Sequence, residues 1–198
     1  MDSQVELGIK TAKRQLSRTQ AAHWARLSYA TPGAGGLAHL GTEMFSTHAG
    51  IKMLHIPYKG AAPAVADVVS GRVDVIFDSI STSGEFIKSG KLKLLATTGA
   101  RRMESMPDVP TVAESGVPGY EASFSLGLYA PRYLPTAIAT MLNMEVRNFV
   151  QTEGFRKRVY DMGGYVPRDQ TAGEFLSYLK DDSQRWLKVI RETGAKLD

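Results

Sequence analysis

The sequence contains no cysteine, no long apolar run and only a modest excess of positive charge. The absence of cysteine from its 198 residues excludes disulfide frameworks, thiolate metal sites and cysteine nucleophiles. No apolar run approaches the roughly 20 residues that a membrane-spanning helix needs. Apolar residues make up 43% of the chain and charged residues 22%, which excludes a disordered or collagen-like protein.

The positive charge is concentrated at the N terminus. Residues 1–26 contain five basic and two acidic residues, which account for three of the four net positive charges. The rest of the chain is nearly neutral, so we predict no nucleic-acid partner, because such proteins usually carry a basic stripe on the folded body. Residues 1–26 also lack the apolar stretch of about 7–15 residues that export signals contain, so we predict a basic leader without a signal peptide. Their apolar residues recur every three or four positions, which predicts a weakly amphipathic helix.

From residue 27 onward, short apolar segments alternate with segments of helical periodicity. The alternation predicts an α/β domain with a mainly parallel sheet. Strands are predicted at 27–30, 51–56, 73–77 and 92–98, and helices at 37–45, 61–69 and 85–88. Gly71 is well placed to end the second of these helices in a left-handed conformation. Residues 99–120 are rich in proline and glycine and predict an irregular connection with one short helix near 112–115, followed by an extended segment at 121–130.

The C-terminal third has the pattern of helices. One apolar stripe runs from Ile138 to Phe149, a shorter helix is predicted at 155–160, and a third is predicted to end at Gly194. Thr171 and Glu174 have the spacing of a capping box at the start of this last helix.

The most informative stretch for function is the glycine-rich turn at residues 31–36, which follows the first predicted strand and precedes a helix. Such a turn presents backbone N–H groups at a helix N-terminus, where the helix dipole also attracts anions. The turn matches neither the dinucleotide-binding fingerprint nor the P-loop motif. A tight turn without any ligand fits the same residues, and the composition alone leaves both interpretations open.

Two further segments follow predicted strands at the edge where ligands bind in open α/β sheets. Asp78 and Ser79 begin a hydroxyl-rich loop that extends to Ser83, where the side chains could cap a helix or bind a ligand. Tyr58 follows the strand between the two loops and could reach the same cleft.

An enzyme is the alternative interpretation of these residues. Ser79 or Ser81 could form a hydrolase triad with His39 and Asp78, but the G-x-S-x-G motif of a nucleophile elbow is absent. The four histidines show no metal-ligand spacing. We therefore predict no catalysis, no metal and no cofactor, and keep a serine esterase-like hydrolase as the alternative.

Four motifs in order resemble the substrate-binding proteins of tripartite tricarboxylate transporters, the Bug or TctC receptors. They are SYATPGAGGLAHL at 28–40, HIPYKGAAP at 55–63, GRVDVIFD at 71–78 and DVPTVAESGVPGY at 108–120. The resemblance implies a type II periplasmic-binding-protein fold that binds a small mono- or dicarboxylate and delivers it to a membrane permease. It implies a periplasmic location and no catalysis. The ligand-binding residues that it implies are Thr31, Gly33, Gly35, His39, Tyr58, Asp78 and Ser79.

The resemblance also predicts how the chain is divided. Residues 27–125 correspond to the second, ligand-binding lobe, and residues 126–198 to the C-terminal helices that complete the first lobe. We expect residues 1–26 not to match the family and most of the N-terminal lobe to be missing. We therefore expect Phe149, Phe155, Trp186 and Ile190 to form an exposed apolar patch that favours a homo-oligomer. An inert structural or interaction module derived from a binding protein remains a further alternative.

Overall fold

The computed structural model describes residues 27–123, 125, 127–164, 166 and 171–194. The helix predicted within residues 1–26 lies outside the described residues, as do Phe124 and Leu126 of the predicted extended segment.

The described part of the chain contains three strands and six helices, and the first six elements alternate as predicted. They are β1 (Ser28–Thr31), α1 (Leu37–Ala49), β2 (Leu54–Pro57), α2 (Ala61–Val69), β3 (Val75–Ile76), α3 (Ile80–Lys88), α4 (Thr136–Val150), α5 (Glu153–Asp161) and α6 (Ala172–Thr193). No helix in the described ranges combines the length and the apolar character that crossing a bilayer requires.

The sheet has the strand order β2-β1-β3, and β1 pairs in parallel with both neighbours. Ser28 is opposite Leu54, and this register continues to Thr31 opposite Pro57. Because the three strands are parallel, their carboxyl ends lie at one edge of the sheet. The connections that follow them therefore share that edge, which is where open α/β sheets bind ligands.

Successive residues of β1 face opposite sides of the sheet, as in any strand. Ala30 packs with Ala64 and Val73 in a buried cluster on the side of α2. Tyr29 lies on the side of α1, where its hydroxyl donates to the Glu43 carboxylate. Both faces of β1 are thus covered, and its side chains are held in fixed positions beneath the turn that follows.

A larger core cluster joins α1 to α6. Its buried members are Met44, Val112, Val117, Tyr120, Ala122 and Val189. The Tyr120 hydroxyl donates to the Gly41 carbonyl oxygen at 3.2 Å and links the segment before residue 123 to α1. Trp186 of α6 packs against the same cluster.

The expected exposed patch on the C-terminal helices is only partly present. Phe149 is 59% exposed, and α4 has no buried residue among its described side chains. Phe155 is half-buried beside Phe149, with the ring centroids 5.0 Å apart. Trp186 and Ile190 are also half-buried, so the expectation that they are exposed was wrong. The physical reason is that α6 packs on the core through the face that carries Val189.

The prediction of a continuous strand at 92–98 was wrong. Only Thr97 pairs, in an isolated parallel bridge with Thr111. Its N–H donates to the Pro110 carbonyl at 2.9 Å, and its carbonyl accepts from the Val112 N–H at 2.9 Å. The ladder cannot grow because Pro110 has no N–H and because a turn begins at Val112. The predicted helix near 112–115 is this single turn.

The predicted strands at 51–56 and 73–77 are shorter than expected at their N-terminal ends. The Ile51 N–H donates to the Ser46 carbonyl at 2.9 Å, so Ile51 belongs to the end of α1 rather than to the ladder. The Ser28 N–H donates to the Asp74 carboxylate at 2.8 Å. This amide is therefore bonded to a side chain and does not extend the pairing between β1 and β3.

The third helix is longer than predicted. It begins at Ile80, so most of the loop expected after Asp78 is the first turn of α3. The Asp78 carboxylate accepts from the hydroxyls of Thr82 and Ser83, and both contacts favour the helical turn.

The capping box predicted for the last helix is confirmed. The Thr171 side chain accepts from the Glu174 N–H at 3.2 Å, and the Glu174 carboxylate accepts from the Thr171 N–H at 2.7 Å. The helix ends at Gly194 as predicted, with a φ of 66°. These contacts satisfy two backbone donors that would otherwise lack a partner at the start of α6.

Replacing Thr171 with alanine should destabilise the fold through loss of this cap. We expect Thr171→Ala to lower the free energy of unfolding by about 1 kcal/mol in chemical denaturation. Thr171→Ser keeps the hydroxyl and should stay close to wild type. Equal loss of stability in both variants would contradict the cap's contribution.

Candidate functional site

The glycine-rich turn lies between β1 and α1, as predicted. We call residues 32–36 the glycine loop. Gly36 is the N-cap residue of α1, and no side chain caps this end of the helix. The amides of Gly36 and Leu37 donate to none of the described residues. A Cβ atom built at Gly33 or Gly36 would meet nothing within 4 Å. The loop therefore offers backbone donors and open space at the positive end of a helix.

The amide of Gly35 is not a bare donor, contrary to the sequence-based expectation for this turn. It donates to Nδ1 of His39 at 3.0 Å. Gly35 has a φ of 75°, a left-handed conformation that favours glycine. A bulky substitution at Gly35 would therefore strain the backbone as well as the site. His39 thus contributes to the loop by fixing one of its amides.

Thr31 holds the other side of the loop. It is fully buried, and its hydroxyl donates to the Gly33 carbonyl oxygen at 3.0 Å. The hydroxyl oxygen of Thr31 also lies 2.7 Å from Nε2 of His55. A hydroxyl has one proton, and Thr31 uses it on Gly33, so His55 Nε2 must be the donor in the second contact.

Three aromatic rings form a stack beneath the loop. The ring of His39 stacks on His55 with centroids 4.2 Å apart and planes within 13° of parallel. The ring of Tyr29 also stacks on His55, with centroids 4.8 Å apart and planes within 12° of parallel. Burial, together with the hydrogen bond to Glu43, raises the pKa of Tyr29 well above its usual range. Tyr29 consequently stays protonated and anchors the stack to α1.

Tyr58 borders the loop through its backbone rather than its hydroxyl. Its N–H donates to the Thr31 carbonyl at 2.9 Å, but its hydroxyl donates to the Asp67 carboxylate of α2 at 2.8 Å. That hydrogen bond raises the pKa of Tyr58. The pKa of Asp67 is lowered by the hydrogen bond from Tyr58 and by a second one from Arg72.

Asp78 and Ser79 lie at the same edge of the sheet, because they follow β3. The Asp78 carboxylate is occupied by the first turn of α3, as described above. The Ser79 hydroxyl lies 2.6 Å from that of Ser81 and 3.2 Å from that of Thr82. The hydrogen bonds of the Ser79 hydroxyl are thus made to neighbouring hydroxyl groups at the start of α3.

The geometry gives no support to the hydrolase alternative. Among the described residues, neither Ser79 nor Ser81 hydrogen-bonds to a histidine, and Nδ1 of His39 is engaged with Gly35. In the same part of the chain, no group of three or more histidine, aspartate or glutamate residues is arranged to hold a metal ion.

Sequence reasoning missed Tyr29, His55 and Glu43 as residues of this site. Their roles depend on the pairing of β1 with β2, which places Tyr29 opposite His55. One signal was present in the sequence: His39 and Glu43 are four residues apart on a helix and therefore lie on one face.

A family model described as the tripartite tricarboxylate transporter family receptor, TctC, matches residues 8–195. The match includes residues 8–26, which were expected not to match the family.

Several relatives are similar over most of this chain. Protein BugT of Bordetella pertussis is 34% identical over 171 residues, which are 86% of this chain and 52% of that protein. The "UPF0065 protein in tcbD-tcbE intergenic region" of Pseudomonas sp. is 32% identical over 90% of this chain and 53% of that protein. The "UPF0065 protein in clcB-clcD intergenic region" of Pseudomonas knackmussii is 33% identical over 80% of this chain and 94% of that protein. The chain thus spans about half the length of the first two relatives.

Solved structures share the fold. The R. palustris protein Rpa4515 with adipate has a TM-score of 0.80 and 30% identity, covering 98% of this chain and 63% of that one. The periplasmic binding protein BugD has a TM-score of 0.77 and 28% identity, covering 92% of this chain and 62% of that one. MatC from Rhodopseudomonas palustris with bound malate has a TM-score of 0.71 and 26% identity, covering 91% and 64%. These likenesses confirm the predicted periplasmic-binding-protein fold.

The Tyr58–Asp67 contact makes a prediction that involves pH. Tyr58→Phe removes the hydrogen bond that contributes most to the low pKa of Asp67, so this pKa should rise toward its usual value. A lowered pKa means that the Asp67 carboxylate stabilises the fold above its unfolded pKa. That stabilisation is lost as the pH falls through the folded pKa. A carbon-13 NMR titration of the carboxyl group measures the change.

Tyr133→Phe is the matched control, because Tyr133 is an exposed tyrosine outside this contact. It should leave the titration of Asp67 unchanged. The same Asp67 titration curve in wild type and Tyr58→Phe would contradict the assigned hydrogen bond.

Proposed function

We infer the function of this chain from the premise that it belongs to the tripartite tricarboxylate transporter receptor family. We propose that it binds a small mono- or dicarboxylate and that one carboxylate group of the ligand lies at the glycine loop. The family model describes a transporter receptor, and the structural neighbour BugD is a periplasmic binding protein.

The observation that carries this proposal is the pair of unengaged amides at the start of α1. The N–H groups of Gly36 and Leu37 donate to none of the described residues, and a Cβ at Gly36 would meet nothing within 4 Å. Both residues lie at the edge where the three parallel strands end. A carboxylate that accepts from these groups would satisfy backbone donors and interact favourably with the helix dipole. The hydrogen bonds would also be charge-assisted, and such bonds are stronger than neutral ones.

The ligands of the relatives support the choice of a carboxylate. Two structural neighbours were solved with adipate and with malate, respectively. Both molecules are small dicarboxylates, and we propose the same chemical class for this chain.

We propose that the remaining predicted residues flank this position. Thr31, Gly33, Gly35 and His39 shape the glycine loop, and Tyr58 adjoins it through its backbone amide. We propose that Asp78 and Ser79, at the start of α3, face the part of the ligand away from this carboxylate.

Delivery to a membrane permease and a periplasmic location are proposed on the ground of the family. The adipate-bound neighbour extends well beyond the part that this chain covers, which is 63% of its length. We also propose self-association through the exposed apolar side chains of α4, which include Met141 and Phe149.

A substitution at Gly36 tests the carboxylate site without straining the backbone. Gly36 has a φ of −76° and a ψ of 172°, which a valine can adopt. We expect Gly36→Val to place a branched side chain over the amides and to weaken binding of adipate and malate by about tenfold or more, corresponding to about 1.4 kcal/mol. Isothermal titration calorimetry measures the affinity.

Gly154→Val is the matched control, because Gly154 also has open space around it but lies in α5. It should bind as the wild type does. The proposal fails if no member of a panel of mono- and dicarboxylates binds the wild type, or if Gly36→Val binds with unchanged affinity while remaining folded.

A further inference from the structure

We propose that the stacked pair His39 and His55 is a positioning device that holds the glycine loop in its binding conformation. The inference rests on the proposed function, since it gives these histidines a role toward the same carboxylate. In this arrangement His39 acts through Gly35 and is a positioning residue rather than a direct ligand contact.

The two histidines are connected to different backbone groups of the loop. Nδ1 of His39 accepts from the Gly35 N–H at 3.0 Å. His55 donates from Nε2 to the Thr31 hydroxyl at 2.7 Å, and that hydroxyl donates to the Gly33 carbonyl at 3.0 Å. One amide and one carbonyl of the loop are therefore tied to the two imidazole rings.

The stack fixes the rings themselves. His39 comes from α1, His55 from β2 and Tyr29 from β1, so the three rings join three different elements. The Tyr29 hydroxyl donates to the carboxylate of Glu43, which lies in α1 one helical turn after His39. Each imidazole is thus in ring contact with a side chain from another element.

The exposure of His39 favours this indirect role. The residue is only 6% exposed, so little of its ring surface remains for a ligand. Its Nδ1 atom is already an acceptor for Gly35 and has no proton to offer an anion in this geometry.

His39 also has a position in α1 from which side chains commonly reach backward. Gly36 is the N-cap, which makes His39 the third residue of the helix. Glutamate or glutamine at this position accepts from the N-cap amide in a capping box. Here the His39 side chain accepts from the amide of Gly35, which is one residue before the N-cap.

The consequence for binding is preorganisation. Glycine has the widest range of backbone conformations, so a glycine-rich loop loses much freedom when a ligand fixes it. A loop already held at Gly33 and Gly35 loses less, and affinity rises accordingly. The amides of Gly36 and Leu37 then face the ligand without further rearrangement.

Three variants separate positioning from general stability. His39→Leu removes the acceptor but keeps an apolar side chain, whereas His39→Gln restores an acceptor that can reach back from the same position. His48→Leu is the control, because His48 is exposed near the other end of α1. Thermal unfolding confirms that each variant is folded.

Two readouts are measured on each variant. The first is the exchange rate of the Gly35 amide with water, followed by nitrogen-15 NMR without ligand. The second is the affinity for adipate and malate. We expect His39→Leu to speed exchange and weaken binding by about fivefold to tenfold, as loss of one hydrogen bond would. His39→Gln and His48→Leu should stay within about twofold of wild type on both.

The outcomes distinguish this inference from the proposed function. Unchanged exchange at Gly35 in His39→Leu overturns the positioning role, and so does faster exchange with unchanged affinity. A His39→Gln variant that behaves like His39→Leu also overturns it. If the wild type binds neither acid nor any other carboxylate, the proposed function has failed, and the exchange rates still decide whether His39 holds the loop.

Discussion

The parallel pairing of β1 with strands on both sides is the constraint on which the rest of this structure depends. It brings the connections after β1, β2 and β3 to one edge of the sheet. It also sets Tyr29 opposite His55, so that the two rings can stack. The glycine loop then lies above this stack, and the first amides of α1 open toward solvent. A slip of one residue in this register would move Tyr29 to the other face and remove the support.

The fold and the candidate site are coupled through a small number of polar contacts. Thr31 is the last residue of β1, and its backbone is part of the ladder while its hydroxyl is part of the loop. Glu43 lies in the middle of α1 and receives the Tyr29 hydroxyl. The same residues therefore pack α1 onto the sheet and set the geometry of its N-terminus, which explains why a turn without a side-chain cap has a defined shape.

Local signals predicted much of the fold. The capping box at Thr171 and the glycine at residue 194 gave both ends of α6, because each depends on neighbouring residues alone. Pairings between distant segments were less predictable. The strand expected at 92–98 is reduced to one bridge because its partner contains Pro110 and then turns. Nothing in the periodicity of residues 92–98 carries that information.

The candidate site likewise combines features that local sequence predicts with contacts between distant segments. The glycine loop was predicted from its composition and its place between a strand and a helix. The engagement of Gly35 by His39 is a local contact between residues four apart. The contribution of His55 from another strand depends on three-dimensional register and could not be predicted from spacing. The hydroxyl of Tyr58 is bound to Asp67, a residue nine positions further along the chain, and this contact directs it toward α2.

The central claim is that backbone amides at the start of α1 bind a carboxylate. The most direct measurement is a nitrogen-15 NMR titration of the wild-type chain with adipate, malate and monocarboxylates. The account predicts saturable shifts of the Gly36 and Leu37 amide signals, larger than those elsewhere in the described residues. Saturable shifts that lie elsewhere, or no saturable shift with any of these acids, would contradict it.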